Sequence, residues 1–216
     1  MKQIPIAISA FLVTLGWLSF PAPARDIAGQ FDYYVLALSW SPAWCSSTGD
    51  SRNAEQCDNG RGLGFVVHGL WPQYERGWPQ NCPSDSRDPS RRESQAMTDI
   101  MGSGGLAWYQ WQKHGRCTGL TATDYYATTR EALERIRIPE LFDRLDRDIA
   151  LPPSVVEDAF LEVNPGHTGD GITVTCRNGD LQEVRICLTR ELEPRDCAPD
   201  VRRDCSQSRI LMEAPS

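Results

Sequence analysis

Eight cysteines, at positions 45, 57, 82, 117, 176, 187, 197 and 205, set the terms on which this chain can fold. An even set reads as disulfides made in an oxidising compartment, although so many thiols permit many pairings. All of them lie beyond residue 24, and the stretch up to that residue is unlike the rest. Lys2 gives a positive start, Ile4 to Phe20 is apolar, and Ala22-Pro23-Ala24 offers an A-x-A cleavage site. The run is short for a membrane anchor and is interrupted by Pro5, Gly16 and Pro21, so 1–24 reads as a cleaved secretory signal. Residues 25–216 read as a single domain, long enough to bury a core, in a protein expected to be secreted or periplasmic. No later stretch is apolar enough to span a bilayer, and no N-x-[ST] glycan acceptor occurs.

Net charge is −7, becoming −8 once Lys2 leaves with the signal. An acidic protein does not hold nucleic acid through a broad electrostatic footprint, which argues against a stable RNA- or DNA-binding module. It leaves room for an enzyme with a small local anion site that must release its product.

Histidine is rare here, with three in the chain, and two of them lie in dense aromatic segments that end in glycine. The first segment, Phe65-Val66-Val67-His68-Gly69-Leu70-Trp71-Pro72-Gln73, is an apolar run of strand type. Period-2 alternation predicts His68 on the face of Val66 and Leu70, with Val67 opposite. Alone, such a histidine reads as a satisfied core residue. The second segment, Trp108-Tyr109-Gln110-Trp111-Gln112-Lys113-His114-Gly115-Arg116-Cys117, carries His114, 46 residues after His68. As a helix it gathers Tyr109, Gln110, Lys113 and His114 on one polar face and sends Trp108 and Trp111 to the far side as anchors. A merely solvated face is the plain alternative. His114 and Cys117 form an H-x-x-C that could be half of a zinc site, but no C-x-x-C and no neighbouring histidine completes it.

Tyr34 to Leu38 is apolar on both alternating faces, as in a central strand, and Ser41-Pro42 ends it. The polar stretch from Cys45 to Gly64 reads as a loop pinned by Cys45–Cys57, and 74–94 reads as another loop. Short helices are predicted over Ser94–Met101, closed by Gly102, and around Pro139–Leu145. Thr123–Ile136 is amphipathic, with Thr123 or Asp124 as N-cap and Tyr126, Leu133 and Ile136 inward; Val155–Val163 is also helical. Asn178-Gly179 between two alternating runs predicts a hairpin pairing Arg177 with Asp180 and Cys176 with Leu181. Cys187 then falls opposite residue 170, so Cys176–Cys205 and Cys187–Cys197 fit better than Cys176–Cys187. His167 stands in a loop without a motif and is given no role.

The two histidine segments resemble the active-site segments of the RNase T2 family of secreted endoribonucleases, through HGLWP at 68–72 and KHG-x-C at 113–117. The similarity extends to Tyr34–Cys45 and Leu181–Cys187, and so runs in order through nearly all of the mature chain. The resemblance implies an α+β fold, a central antiparallel sheet flanked by helices and stapled by disulfides, with Cys82–Cys117 and the nested C-terminal pairs among them. It also implies metal-free, cofactor-free cleavage of RNA through a 2′,3′-cyclic phosphate, with His114 as base and His68 as acid. Gln73 stands where many members carry a polar residue that contacts a base. The family usually has His-Glu before the tryptophan of the second segment; this chain has Tyr109-Gln110.

The chemistry agrees with the residues themselves. RNA carries its own nucleophile, so cleavage needs a base for the 2′-hydroxyl and an acid for the leaving 5′-oxygen, and two histidines supply one of each. Lys113 and Gln110 can meet charge developing on the phosphate. Trp71 offers a stacking surface for a base, and Tyr109 a donor to phosphate. RNA is then the partner, and a monomer with no obligate protein partner suffices. Two other classes compete: a secreted RNA-binding or inhibitory protein without catalysis, and a disulfide-rich structural protein. The first sits poorly with the acidic balance and the retained histidines, the second with their placement.

Overall fold

The computed structural model describes residues 26–58 and 60–215, so the signal segment lies outside the described residues. A sheet of six strands forms the middle of the molecule, in the order β2-β1-β5-β6-β3 with β4 on β5. The strands are β1 (Tyr33–Trp40), β2 (Phe65–Gln73), β3 (Ile149–Leu151), β4 (Ile172–Arg177), β5 (Asp180–Leu188) and β6 (Ile210–Met212). All pairings are antiparallel except a single parallel contact between β5 and β6. The apolar run of β1 does occupy the interior, between β2 and β5.

Both faces of β1 are buried, each for its own reason. One face (Leu36, Leu38, Trp40) shares a core with Val67, Leu70, Val184 and Ile186 and with helical Trp111, Tyr125, Phe142 and Phe160. The other face (Tyr33, Val35) is covered at one end by Cys187, Cys197, Ala198 and Val201, with Trp71 at the margin. Beyond that cover lies the part of the sheet that carries polar side chains.

Two bulges correct the simple alternation. In β2, Leu38 faces Val67 and Ala37 faces Gly69, so His68 has no partner on β1. An extra residue re-aims the side chains that follow it. Val67 and Leu70 therefore share the helix-covered core, and His68 stands with Trp71 rather than with Leu70. In the hairpin, Arg177–Asp180 and Cys176–Leu181 pair as the Asn-Gly turn dictates, but Thr175 faces Glu183, leaving Gln182 as the extra residue. The disulfides are Cys45–Cys57, Cys82–Cys117, Cys176–Cys205 and Cys187–Cys197.

The helices follow the sequence signals with shifted ends. They are α1 (Ser41–Trp44), α2 (Arg91–Gln95), α3 (Thr98–Met101), α4 (Gly104–Lys113), α5 (Ala122–Glu134), α6 (Glu140–Asp143) and α7 (Pro153–Val163). The helix expected from Ser94 is two: a capping box of Ser90 and Glu93 starts α2 earlier, and α3 ends at left-handed Gly102. Thr121, rather than Thr123 or Asp124, caps α5 by accepting from Asp124 N. Trp111 is fully buried, but Trp108 is exposed rather than an anchor, because the buried face of α4 runs through Gly104, Ala107, Gln110 and Trp111 and leaves residue 108 outside it.

Helix α5 is tied to the histidine strand by Tyr125, whose buried hydroxyl donates to Leu70 O at 3.1 Å. Tyr125→Phe removes that donor without emptying the core. It is expected to lower the unfolding free energy by about 1–2 kcal/mol, the cost of an unmet buried carbonyl, as read by denaturant titration.

Candidate active site

The sheet's uncovered region is built around a carboxylate. Glu183 projects from β5, opposite Ser39 of β1, and is 2% exposed. Its Oε1 lies 2.5 Å from His68 Nδ1, and its Oε2 accepts from Arg185 Nε and Nη2 at 2.9 and 2.8 Å. Ala37 and Ser39 lie between β5 and β2 on this face, and their small side chains leave room for the contact. The pairing gives an Nδ1–H a fixed acceptor and leaves Nε2 of His68 for other work. Arg185 in turn lies over the Trp71 ring, 5.5 Å from its centroid.

Trp71 separates the two histidines. Its ring centroid is 5.2 Å from that of His68 and 5.4 Å from that of His114. The indole is fixed by its Nε1–H, which donates to Gln110 Oε1 at 2.8 Å. Gly69 makes this bond possible: a Cβ there would fall 2.5 Å from Gln110 Oε1 and against Trp71 Nε1. The glycine of HGLWP is thus a matter of space rather than of turn geometry.

On the helix side, His114 ends α4, its N–H donating to Gln110 O at 2.9 Å. Trp111 anchors the last turn, with Nε1 donating to Asp88 at 2.9 Å, and Gly115 has no room for a Cβ against Trp111 and Tyr125. The Cys82–Cys117 bond and the contact of Asn81 N with Lys113 O at 2.8 Å tie the 74–82 loop beside this turn. Lys113 is half-buried, its Nζ 5.9 Å from the exposed Tyr109 ring.

The structure therefore brings His68, Trp71, Gln110 and His114 together, with Lys113 next to His114 and Tyr109 at the rim. Gln73 is buried, its amide donating to Pro72 O at 3.0 Å, at the far end of β2. His167 lies elsewhere, next to Gly171. Cys117 is held in a disulfide, so the H-x-x-C spacing lacks a free thiolate. Among the described residues, the one cluster of potential metal ligands is Cys45, Asp50 and Cys57, and both its thiols are bonded to each other. Sequence reasoning missed Glu183 and Arg185. Their signal is two opposite charges at alternate positions, Glu183 and Arg185, flanking Val184 and followed by the apolar run Ile186–Leu188.

The two histidines sit in opposite electrostatic settings. Burial, together with the positive charge of Lys113 and of His68, pushes the His114 imidazole down to about 3, so the ring is neutral. Burial alone would raise the Glu183 carboxyl, but the hydrogen bond and charge of His68, joined by Arg185, hold it below the usual carboxylate range. Glu183 is thus an anion inside the sheet.

The shift at His114 has a consequence for stability. Above the ordinary 6.5 both folded and unfolded chains leave this ring neutral. As pH falls from 6.5 toward about 3, the unfolded chain binds a proton that the folded one refuses, so the contribution to stability is lost through that window. In denaturant titrations, His114→Asn is expected to remove a slope of about 1.4 kcal/mol per pH unit there. Parallel slopes for both proteins would contradict the burial of the ring.

Known proteins resemble this chain in both sequence and fold. The sequence profile of the Ribonuclease T2 family matches residues 31–197. A ribonuclease of Aeromonas hydrophila is 32% identical over 221 residues, spanning 98% of each chain. A probable ribonuclease of Haemophilus influenzae is 34% identical over 136 residues, covering 57% of this chain and 49% of that one. The fold is that of an RNase-related protein from Calystegia sepium, with a TM-score of 0.69 at 20% identity over 87% of this chain and 99% of that one. With a profile match over residues 31–197, which hold both histidine segments, and a relative that aligns over 98% of each chain, the chain belongs to the Ribonuclease T2 family as a T2-type endoribonuclease.

Proposed function

We propose that this protein is a secreted or periplasmic enzyme that cuts single-stranded RNA by transphosphorylation, without a metal ion. The observation that carries the reading is a pair of imidazoles on either side of Trp71, one buried and neutral, the other bound to a carboxylate. His114 takes the proton of the 2′-hydroxyl as that oxygen bonds to phosphorus. The bond from phosphorus to the 5′-oxygen breaks, and His68 Nε2–H supplies the proton to the leaving oxygen, giving a 2′,3′-cyclic phosphate and a new 5′-hydroxyl. Lys113 faces the charge on the non-bridging oxygens. Gln110 holds Trp71 through its oxygen and keeps its NH2 group as a donor to phosphate. Trp71 offers a base a stacking surface, and Tyr109 donates to a phosphate oxygen. Glu183 acts through His68 as a positioning residue, supported by Arg185.

The test is incubation of the pure protein with RNA and EDTA, followed by analysis of fragment ends. Cyclic phosphate termini are expected, and His68→Ala or His114→Ala should each lower turnover by about 100-fold or more. His167→Ala should change little. Activity lost to the chelator and restored by zinc would overturn the metal-free reading, and RNA bound but never cut would favour an inhibitory member of the family.

Glu183→Gln tests the positioning role separately. Turnover is expected to fall about ten-fold or more with KM little changed, since the orienting charge acts on the proton donor rather than on binding. The His68 Nδ1–H proton resonance is expected far downfield in the parent and should disappear in the variant; a variant that retains it would refute the role.

A further inference from the structure

A cleft of about 430 Å³ opens beside the site on its His68 side. Its lining includes His68 and the buried Glu183, Trp44, and the exposed Arg52, Arg177 and Asn178. From this juxtaposition we infer a second phosphate subsite, in which Arg52 and Arg177 hold the RNA phosphate one nucleotide downstream of the one being cut.

Both arginines stand on elements that cannot easily yield. Arg52 ends a tight turn (Asp50–Arg52) within the loop closed by Cys45–Cys57. That loop is packed so closely that Gly49 has no room for a Cβ against Cys57 and Trp44. Arg177 follows Cys176, which is bonded to Cys205, and precedes the left-handed turn at Asn178 and Gly179, with φ of 54° and 102°. Both guanidinium groups are exposed, and neither takes part in the ten ion pairs found among the described residues. The carboxylates lining the cleft are Asp180, across the hairpin from Arg177, and Glu183, which is neutralised by His68 and Arg185. Arg91 and Arg92 likewise line a cleft without ion pairs, but that one contains neither histidine of the site.

Direction follows from the proposed chemistry, on which this inference rests. If His68 protonates the leaving 5′-oxygen, the strand downstream of the cut departs past His68 and into this cleft. The volume lies within the roughly 300–1,000 Å³ of small-ligand pockets, enough for one nucleotide before its phosphate meets the arginines. Guanidinium groups suit that phosphate because they bind its oxygens in pairs.

The experiment compares two substrates with the full mature protein: a dinucleoside monophosphate, whose sole phosphate is the scissile one, and a hexanucleotide. For Arg52→Gln/Arg177→Gln, kcat/KM on the hexanucleotide is expected to fall about ten-fold, mainly through KM, while that on the dinucleotide stays within about two-fold. The slope of log kcat/KM against log salt should become shallower by about 0.7, the value for one phosphate that the protein no longer neutralises. The control is Arg137→Gln/Arg147→Gln, two exposed arginines that are not among the cleft's lining residues and change net charge equally. Equal losses on both substrates, or an equal loss in the control, would overturn the subsite. Binding of an all-deoxy hexanucleotide, which lacks the nucleophile, gives a readout independent of cleavage. A protein that cuts nothing but binds this probe less well in the double variant would refute the proposed chemistry and keep the subsite. Unaltered binding in an active enzyme would remove the subsite and leave the chemistry.

Discussion

One extra residue in β2 governs the arrangement of the site. Because His68 is left unpaired at a bulge, the strand can send Val67 and Leu70 into the helix-covered core and still present His68 and Trp71 on the opposite face. Without the bulge, alternation would put Leu70 and His68 on one face and oblige the sheet to give up either its packing or its imidazole. A matching bulge at Gln182 sets the register of Glu183 against Ser39 and Thr175, from where it reaches His68.

A buried carboxylate is costly unless its charge is met from two sides, and here it is. His68 takes one oxygen and Arg185 the other, and Arg185 extends the group onto Trp71. From Trp71 the chain of contacts passes to Gln110 and His114. Within the site, β2 and α4 thus meet at the Trp71 indole, and the space left by Gly69 lets Gln110 reach it.

Much of this was legible in the residues. The apolar faces of Tyr34–Leu38 placed β1 in the interior, the Asn-Gly pair placed the hairpin, and the two histidine segments named His68 and His114. Failures occurred where a local rule met a long-range constraint. Period-2 counting cannot foresee an unpaired residue, so it misses both bulges and puts Leu70 on the face of His68. Helical spacing alone makes Trp108 an anchor, yet the face of α4 that is buried runs through Ala107, Gln110 and Trp111 and leaves Trp108 in water. Glu183 was invisible as a partner of His68 because nothing within a single segment points across 115 residues.

That separation has a bearing on how the molecule comes into being. A chain made from its N-terminus acquires the second histidine segment, its helix and its local turns long before β5 exists. The buried anion that steadies His68 arrives only when residue 183 has been made and has threaded between β1 and β4. Contacts of such long range form slowly and depend on the whole sheet. A partly synthesised chain therefore holds both imidazoles while lacking the arrangement that joins them, and competence comes as a late, cooperative event rather than growing with length.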